Sequence, residues 1–272
     1  MIKNQESNKD ILTKITPLIL TYNEAPNIER TLKQLTWAQQ IIIIDSYSKD
    51  ETLEIIKNYP QVKLFQREFD THASQWNYGL KKVASEWVLS LDADYFVTDE
   101  LIAEIKEIKG DRSIDGYFIP FKYCVFGKPL RGTILPPRQA LFRQENSIYI
   151  DDGHTQLLQI KGKSPTLSNY IYHDDRKPLS RWLWAQDRYM KIEVKKLLET
   201  PKNELSFGDQ IRLQKVIAPF IIIFYCLILK GGILDGWHGW YYAFQRMFAE
   251  ILLSIRLIEK EQLETNERNK NF

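Results

Sequence analysis

The amino-acid sequence predicts an α/β protein with a mostly parallel central sheet, followed by a helical region. Three observations carry this expectation. Through the first hundred residues, β-branched runs alternate with segments of helical spacing, as in strands laid parallel and covered on both faces. A polar cluster follows each apolar run instead of interrupting it. Late in the chain, from Trp237 to Ile255, the apolar residues recur at three and four.

Taken in order, Thr16 to Thr21 reads as a strand and Tyr22 to Asn27 as a polar loop, with Asn27 an N-cap and Ile28, Leu32 and Leu35 at helical spacing. Gln40 to Ile44 is a β-branched strand that stops at Asp45-Ser46-Tyr47-Ser48-Lys49-Asp50, and Glu51 to Asn58 resumes as a helix. Val62 to Phe65 is a third strand, Ala73 to Ala84 a helix, and Trp87 to Leu91 a fourth strand ending at Asp92-Ala93-Asp94. Ligands of such sheets bind beyond the carboxyl ends of the strands. Tyr22 to Glu24, Asp45 and the Asp92/Asp94 pair all fall there and are expected to converge.

Two carboxylates one residue apart repel each other unless a positive charge lies between them. Hard oxygen ligands suit Mg²⁺ or Mn²⁺, ions that share their shell with substrate phosphates. The pair therefore points to a nucleotide-diphosphate substrate and a divalent metal.

TYNEAPNIERTL, IIIIDSYSKDETLEI and LDAD, in that order and spacing, resemble the opening loop, second strand and metal-binding motif of the inverting family-2 glycosyltransferases of the GT-A fold. The resemblance implies that Thr21, Tyr22, Asn23 and Glu24 line the nucleotide pocket, that Asp45 accepts a hydrogen bond from uracil, and that Asp94 holds the metal, with Asp92 nearer the ribose and donor sugar. HASQWNYGL, residues 72 to 80, resembles the helix that closes the base pocket, which makes Gln75 and Asn77 contact candidates. Residues 131 to 160 resemble membrane-associated members, including lipopolysaccharide-core glucosyltransferases. Where those relatives often carry a His-Glu pair, this chain has His154-Thr155, with Asp151-Asp152 before it.

An inverting transfer needs a carboxylate to take the acceptor's proton and a positive group to hold the departing diphosphate. Asp152 is the first candidate for the base and Asp151 the second. His154 orients the base, contacts substrate or stabilises the turn. Arg138 and Arg143 are candidates for the diphosphate, although a spacing of five turns them to opposite faces of a strand. His173 is a candidate third metal ligand, and Arg176 or Lys177 a further phosphate contact; the alternative is a strand-to-helix turn capped by Asp175 or Ser180.

Residues 216 to 229, VIAPFIIIFYCLIL, are apolar throughout but shorter than the roughly 20 residues a membrane span requires, so a buried or interfacial helix is expected. Trp237, Trp240, Tyr241, Phe244, Met247, Phe248, Ile251, Leu252 and Ile255 follow as one stripe headed by aromatics, which faces either the protein's own core, the usual arrangement, or, as favoured here, a membrane interface with Arg246, Arg256 and Lys260 toward anionic lipid. A net charge of +2 is too mild to argue for nucleic acid. Two cysteines in apolar surroundings form neither a disulfide framework nor a metal site, and the polar N-terminus shows no secretory h-region. The expected organisation is a nucleotide-sugar-binding and catalytic domain over 1–178, a membrane-interfacial helical appendage over 179–260 and a flexible tail over 261–272.

The expected activity is hexose transfer with inversion, from a nucleotide-diphosphate sugar of the UDP class to a lipid-linked or glycolipid acceptor in cell-envelope glycan synthesis, at the cytoplasmic face of a membrane. Transfer to a polyprenyl phosphate and non-catalytic sugar-nucleotide binding are the alternatives.

Overall fold

A computed structural model describes residues 10–270 apart from Asn146, Gly153 and His154, and excludes the side chains of Asp152, Thr155 and residues 264–270. Twelve strands and eight α-helices are assigned among the described residues. The first half runs β1 (Ile15–Thr21), α1 (Ile28–Lys33), β2 (Ile41–Asp45), α2 (Thr52–Ile56), β3 (Val62–Gln66), α3 (His72–Leu80), β4 (Trp87–Asp92), β5 (Tyr95–Val97) and α4 (Asp99–Lys106). There follow β6 (Gly116–Ile119), β7 (Phe121–Val125), β8 (Lys128–Pro129), β9 (Arg138–Arg143), β10 (Ile148–Asp152), β11 (Thr155–Gln159) and β12 (Ile171–His173). The rest is helical: α5 (Leu179–Glu199), α6 (Phe207–Arg212), α7 (Ala218–Phe224), a π-turn over Tyr225–Leu229, and α8 (Trp237–Lys270).

The chain divides into two compact units. One holds Met1–Lys122, Leu135–Asp151 and Gln156–Arg176; the other holds Tyr123–Ile134, Asp152–Thr155 and Lys177–Phe272.

The first unit is built on a six-stranded sheet of order β3-β2-β1-β4-β9-β6. Its first four strands are parallel, whereas β9 runs antiparallel to both β4 and β6. The mostly parallel sheet expected from the sequence is therefore a mixed one. Sequence patterning sees β-propensity but not strand direction, and the last two strands lack the helical crossover that parallel pairing requires. Ile41 to Ile44 are completely buried because layers cover both faces of β2. On one side Ile41 and Ile43 meet Leu32 and Leu35; on the other Ile42 and Ile44 meet Trp76 and Leu80. Each such side chain contributes roughly 1.5–3 kcal/mol. Gly79 lets α3 approach β1, since a Cβ there would lie 2.6 Å from Leu18 Cδ1. Thr71 and Thr98 cap α3 and α4 through their hydroxyls. Asn27 does occupy the N-cap position of α1, but it makes no side-chain cap there.

In the second unit β7 and β8 pair as a hairpin. Val125 and Leu130 of that hairpin pack with Cys226, Leu227, Tyr242 and Ala243, which explains why the segment belongs to this unit and not to the 1–178 block. A second cluster joins Val194, Leu197 and Leu205 to Leu253 and Leu257. Between the helices, Arg212 donates to Glu250, Glu193 and Asp209, three buried carboxylates around one guanidinium. Residues 261–270 continue α8. No described helix is long and apolar enough to cross a membrane.

Candidate active site

Register fixes which strand ends meet. Thr21 lies beside Asp45 and Leu20 beside Asp92, so the ends of β2, β1 and β4 stand in a row about 4.8 Å apart from strand to strand. Of the residues expected to converge, Asp45 and Asp92 end strands on either side of β1, and Tyr22 to Glu24 form the loop that leaves β1 at Thr21, within the first unit. The carboxylates are nevertheless used differently.

Asp45 is completely buried. Its Oδ1 accepts from the hydroxyls of Thr21 (3.0 Å) and Ser48 (2.5 Å), and its Oδ2 from the Ser48 backbone N–H (2.8 Å) and the Gln66 amide (3.3 Å). Four donors fill the accepting capacity of one carboxylate. In the structure the Asp45 charge thus pins the loop after β2. Asn23, held in the left-handed region at φ 54°, donates its N–H to Ser48 and accepts from the Lys49 N–H, tying the first loop to the second. Glu24 is anchored by its own N–H to the Thr52 hydroxyl. Tyr22 is more exposed than these neighbours.

Gln75 is likewise buried and committed, donating to Ser46 and the Arg67 carbonyl while accepting from Arg67. Asn77 accepts from the Tyr149 N–H at 2.9 Å and donates to its carbonyl at 2.8 Å, a side chain acting as one rung of strand. Both residues shape the site by holding other elements, and neither presents an open amide as a ligand contact would. Asn77 and Asp151 line a cleft of about 500 Å³ with Arg67, Ser74 and Tyr149. The Asp151 carboxylate accepts from the Ala73 N–H at 3.3 Å, in the first turn of α3, where a negative charge is favoured. The Asp152 side chain and the whole of His154 lie outside the described residues.

Asp94 sits in the turn between β4 and β5. Antiparallel pairing of β5 with β12 sets His173 opposite Tyr95, and this brings His173 Nε2 within 3.1 Å of Asp94 Oδ2. Burial works against the imidazolium, but the charge and hydrogen bond of Asp94, with Asp92 and Asp175 behind, outweigh it and raise the His173 pKa. Asp92 turns the other way, toward Arg138 Nη1 at 3.5 Å. The same guanidinium donates to the Tyr95 hydroxyl at 2.8 Å, and burial lifts the Tyr95 pKa well above its usual value.

Arg143, by contrast, lies at the far end of β9, beside Trp87 where β4 begins. Five residues of strand carry it about 17 Å from Arg138. It is occupied there by Glu86, the Ile114 carbonyl and the Trp87 ring. Its assignment to the donor site is corrected.

Two contributors escaped sequence reading. Tyr95 and Tyr149 are buried phenols that flank the Arg138 and Asp92 charges, and burial raises both of their pKa values. A polar cluster also fixes the loop after β12: Arg30 binds Asp174 at 2.6 Å, Asn27 bridges Glu24 and Asp175, and Arg176 turns back on Asp174. Arg176 is therefore committed to Asp174, not to phosphate.

No group of three metal-ligating side chains forms among the described residues, so Asp92, Asp94 and His173 do not make the expected triad. Asp94 with His173 nevertheless fits a hard divalent ion. Mg²⁺ sites use one or two protein ligands and leave the remaining positions to water and phosphate. Carboxylate and imidazole together suit Mn²⁺ as well.

The sequence is similar to known proteins. The SPbeta prophage-derived glycosyltransferase SunS of Bacillus subtilis is 31% identical over 213 residues, covering 73% of this chain and 49% of its own length. An uncharacterized glycosyltransferase of Rickettsia bellii is 32% identical over 110 residues, 40% of this chain and 37% of the relative. The chain spans about half or less of the length of these relatives. Among solved structures, S. aureus TarS 1-349 in complex with UDP-GlcNAc aligns over 88% of this chain and 82% of its own, at 16% identity and a TM-score of 0.46. The family model described as Glycosyl transferase family 2 matches residues 18–159, more than half of the sequence, and the chain belongs to that family.

Proposed function

We propose that this protein transfers a hexose, with inversion, from a UDP-sugar to a lipid-linked or glycolipid acceptor of the cell envelope, working from the cytoplasmic face of a membrane. The observation that carries the donor half is the arrangement at the carboxyl end of β4. Asp94 and His173 are poised for a cation, and Arg138 stands beside them with a forked guanidinium suited to phosphate oxygens. A bound Mg²⁺ or Mn²⁺ would supply charge to the diphosphate as it leaves. Arg138 stabilises the same developing charge from the protein side, with Asp92 and the Tyr95 hydroxyl setting its direction.

The reaction joins the acceptor oxygen to the anomeric carbon, breaks the bond to the diphosphate and delivers the acceptor proton to a carboxylate. We assign that proton to Asp152, because Asp151 already serves the first turn of α3. Family membership supports the reaction class. The acceptor half rests on the exposed apolar residues of the second unit, which a fully soluble acceptor would not call for.

The test is release of free nucleotide from UDP-, GDP- and dTDP-sugars in detergent with a lipid extract as acceptor. One donor is expected to turn over, and turnover is expected to cease on chelation and in Asp94→Ala. Donor binding without turnover in the presence of that extract would replace transfer with sugar-nucleotide binding alone.

A further inference from the structure

The nine-residue stripe read from the sequence is not the buried side of α8. Its buried side is Tyr242, Ala243, Ala249, Leu253 and Leu257, and none of the nine is buried. Trp237, Trp240, Phe244, Phe248, Ile251, Ile255 and Ile258, spaced by three and four, are all exposed, so more than 20 residues of helix turn a wholly apolar face outward. Phe220, Ile221, Phe224 and Ile228 are exposed on the preceding helical segment, and Ile233 and Leu234 in the turn between. The aromatics touch: Trp240 meets Phe244 at 5.5 Å between centroids, and Phe126, at the tip of the β7–β8 hairpin, meets Trp237 and Tyr241.

Size and charge together choose the occupant. Six of these aromatics, Phe220, Phe224, Trp237, Trp240, Phe244 and Phe248, keep about half their surface. At about 200 Å² each, the four on α8 alone expose roughly 400 Å² along one helix face, already the size of the largest patch on an ordinary monomer before any aliphatic side chain is added. From residue 216 to 249 the sequence has one acidic side chain, Asp235. That carboxylate is buried against the backbone N–H groups of Arg131 and Gly132. Lys128, Arg131 and Lys230 are exposed in the same unit. Aromatics with cations and no exposed acid between them match the headgroup region of an anionic bilayer, where rings sit at the boundary and Lys or Arg meets phosphate.

We propose that this face seats the protein on an anionic membrane surface, with Phe126, Trp237, Trp240 and Phe244 inserted and Lys128, Arg131 and Lys230 at the headgroups. The proposal rests on the lipid-acceptor reading only for its purpose; its evidence is the face itself. The test is co-sedimentation of the full chain with vesicles of phosphatidylcholine alone or with about 30% phosphatidylglycerol. The wild type is expected to bind the anionic vesicles, and Trp237→Ser with Phe244→Ser to bind roughly tenfold or more weakly while keeping its far-ultraviolet spectrum and UDP binding. Lys128→Glu with Lys230→Glu is expected to remove the preference for anionic lipid. Unchanged binding in both variants would overturn the proposal. So would a wild type that ignores vesicles and forms a dimer broken by Trp237→Ser, which would give the face to a second copy. Vesicle binding together with transfer to soluble acceptors only would instead overturn the lipid-acceptor reading and leave this one standing.

Discussion

Asp45 ends β2 and Asp94 lies just past the end of β4, two strands of one sheet with β1 between them; both match motifs of nucleotide-sugar enzymes, yet the fold treats them oppositely. Asp45 is surrounded by four donors from three segments and is closed to solvent. Asp94 has the His173 imidazole at hydrogen-bond distance, a partner that a cation can replace or share. A carboxylate saturated by backbone, hydroxyl and amide donors is a structural anchor, whereas one paired with a titratable imidazole is available for chemistry.

The sharpest way to break this contrast is to remove each carboxylate in turn. Asp94→Ala is expected to cut kcat/KM for the donor by about 100-fold or more, with little change in melting temperature. Asp45→Ala is expected to cost about 2–4 kcal/mol of stability, because buried donors lose their acceptor. Its activity at low temperature should stay nearer wild type than that of Asp94→Ala. Equal stability losses measured by urea unfolding would erase the distinction. Arg138→Ala comes next, expected to lower kcat by about 10- to 100-fold in steady-state assays, with Arg138→Lys recovering only part because the fork is lost. Arg143→Ala should leave turnover unchanged and cost about 1 kcal/mol, since its partners are Glu86, a carbonyl and a ring. A loss of turnover without loss of stability in Arg143→Ala would reverse the correction made for that residue.

The cluster around Asn27 extends the same lesson to loops. His173 gains its place through the ladder with β5, and the residues just after it are held by Arg30 and Asn27 from α1 and its preceding loop. Charges that looked available for phosphate, such as Arg176, are the fastening. A basic residue beside a site is informative about ligands only after its internal partners are counted.

The sequence by itself determined the order of strands and helices through residue 92, the placement of polar clusters at strand ends, and the Asp92/Asp94 pair. Local propensity and period are properties of short segments, so they survive without knowledge of the fold. It also supplied the family, through motifs whose order is linear. Only the tertiary structure decided strand direction in β9 and β6, which sends Arg138 to the site and Arg143 away from it. Only the tertiary structure showed Asp45 to be filled by internal donors, Gln75 to be engaged by internal donors and acceptors, and the aromatic stripe of α8 to face outward. Hydrogen-bond saturation, strand direction and which side of a helix is covered depend on residues distant in the chain, and no local pattern of spacing records them.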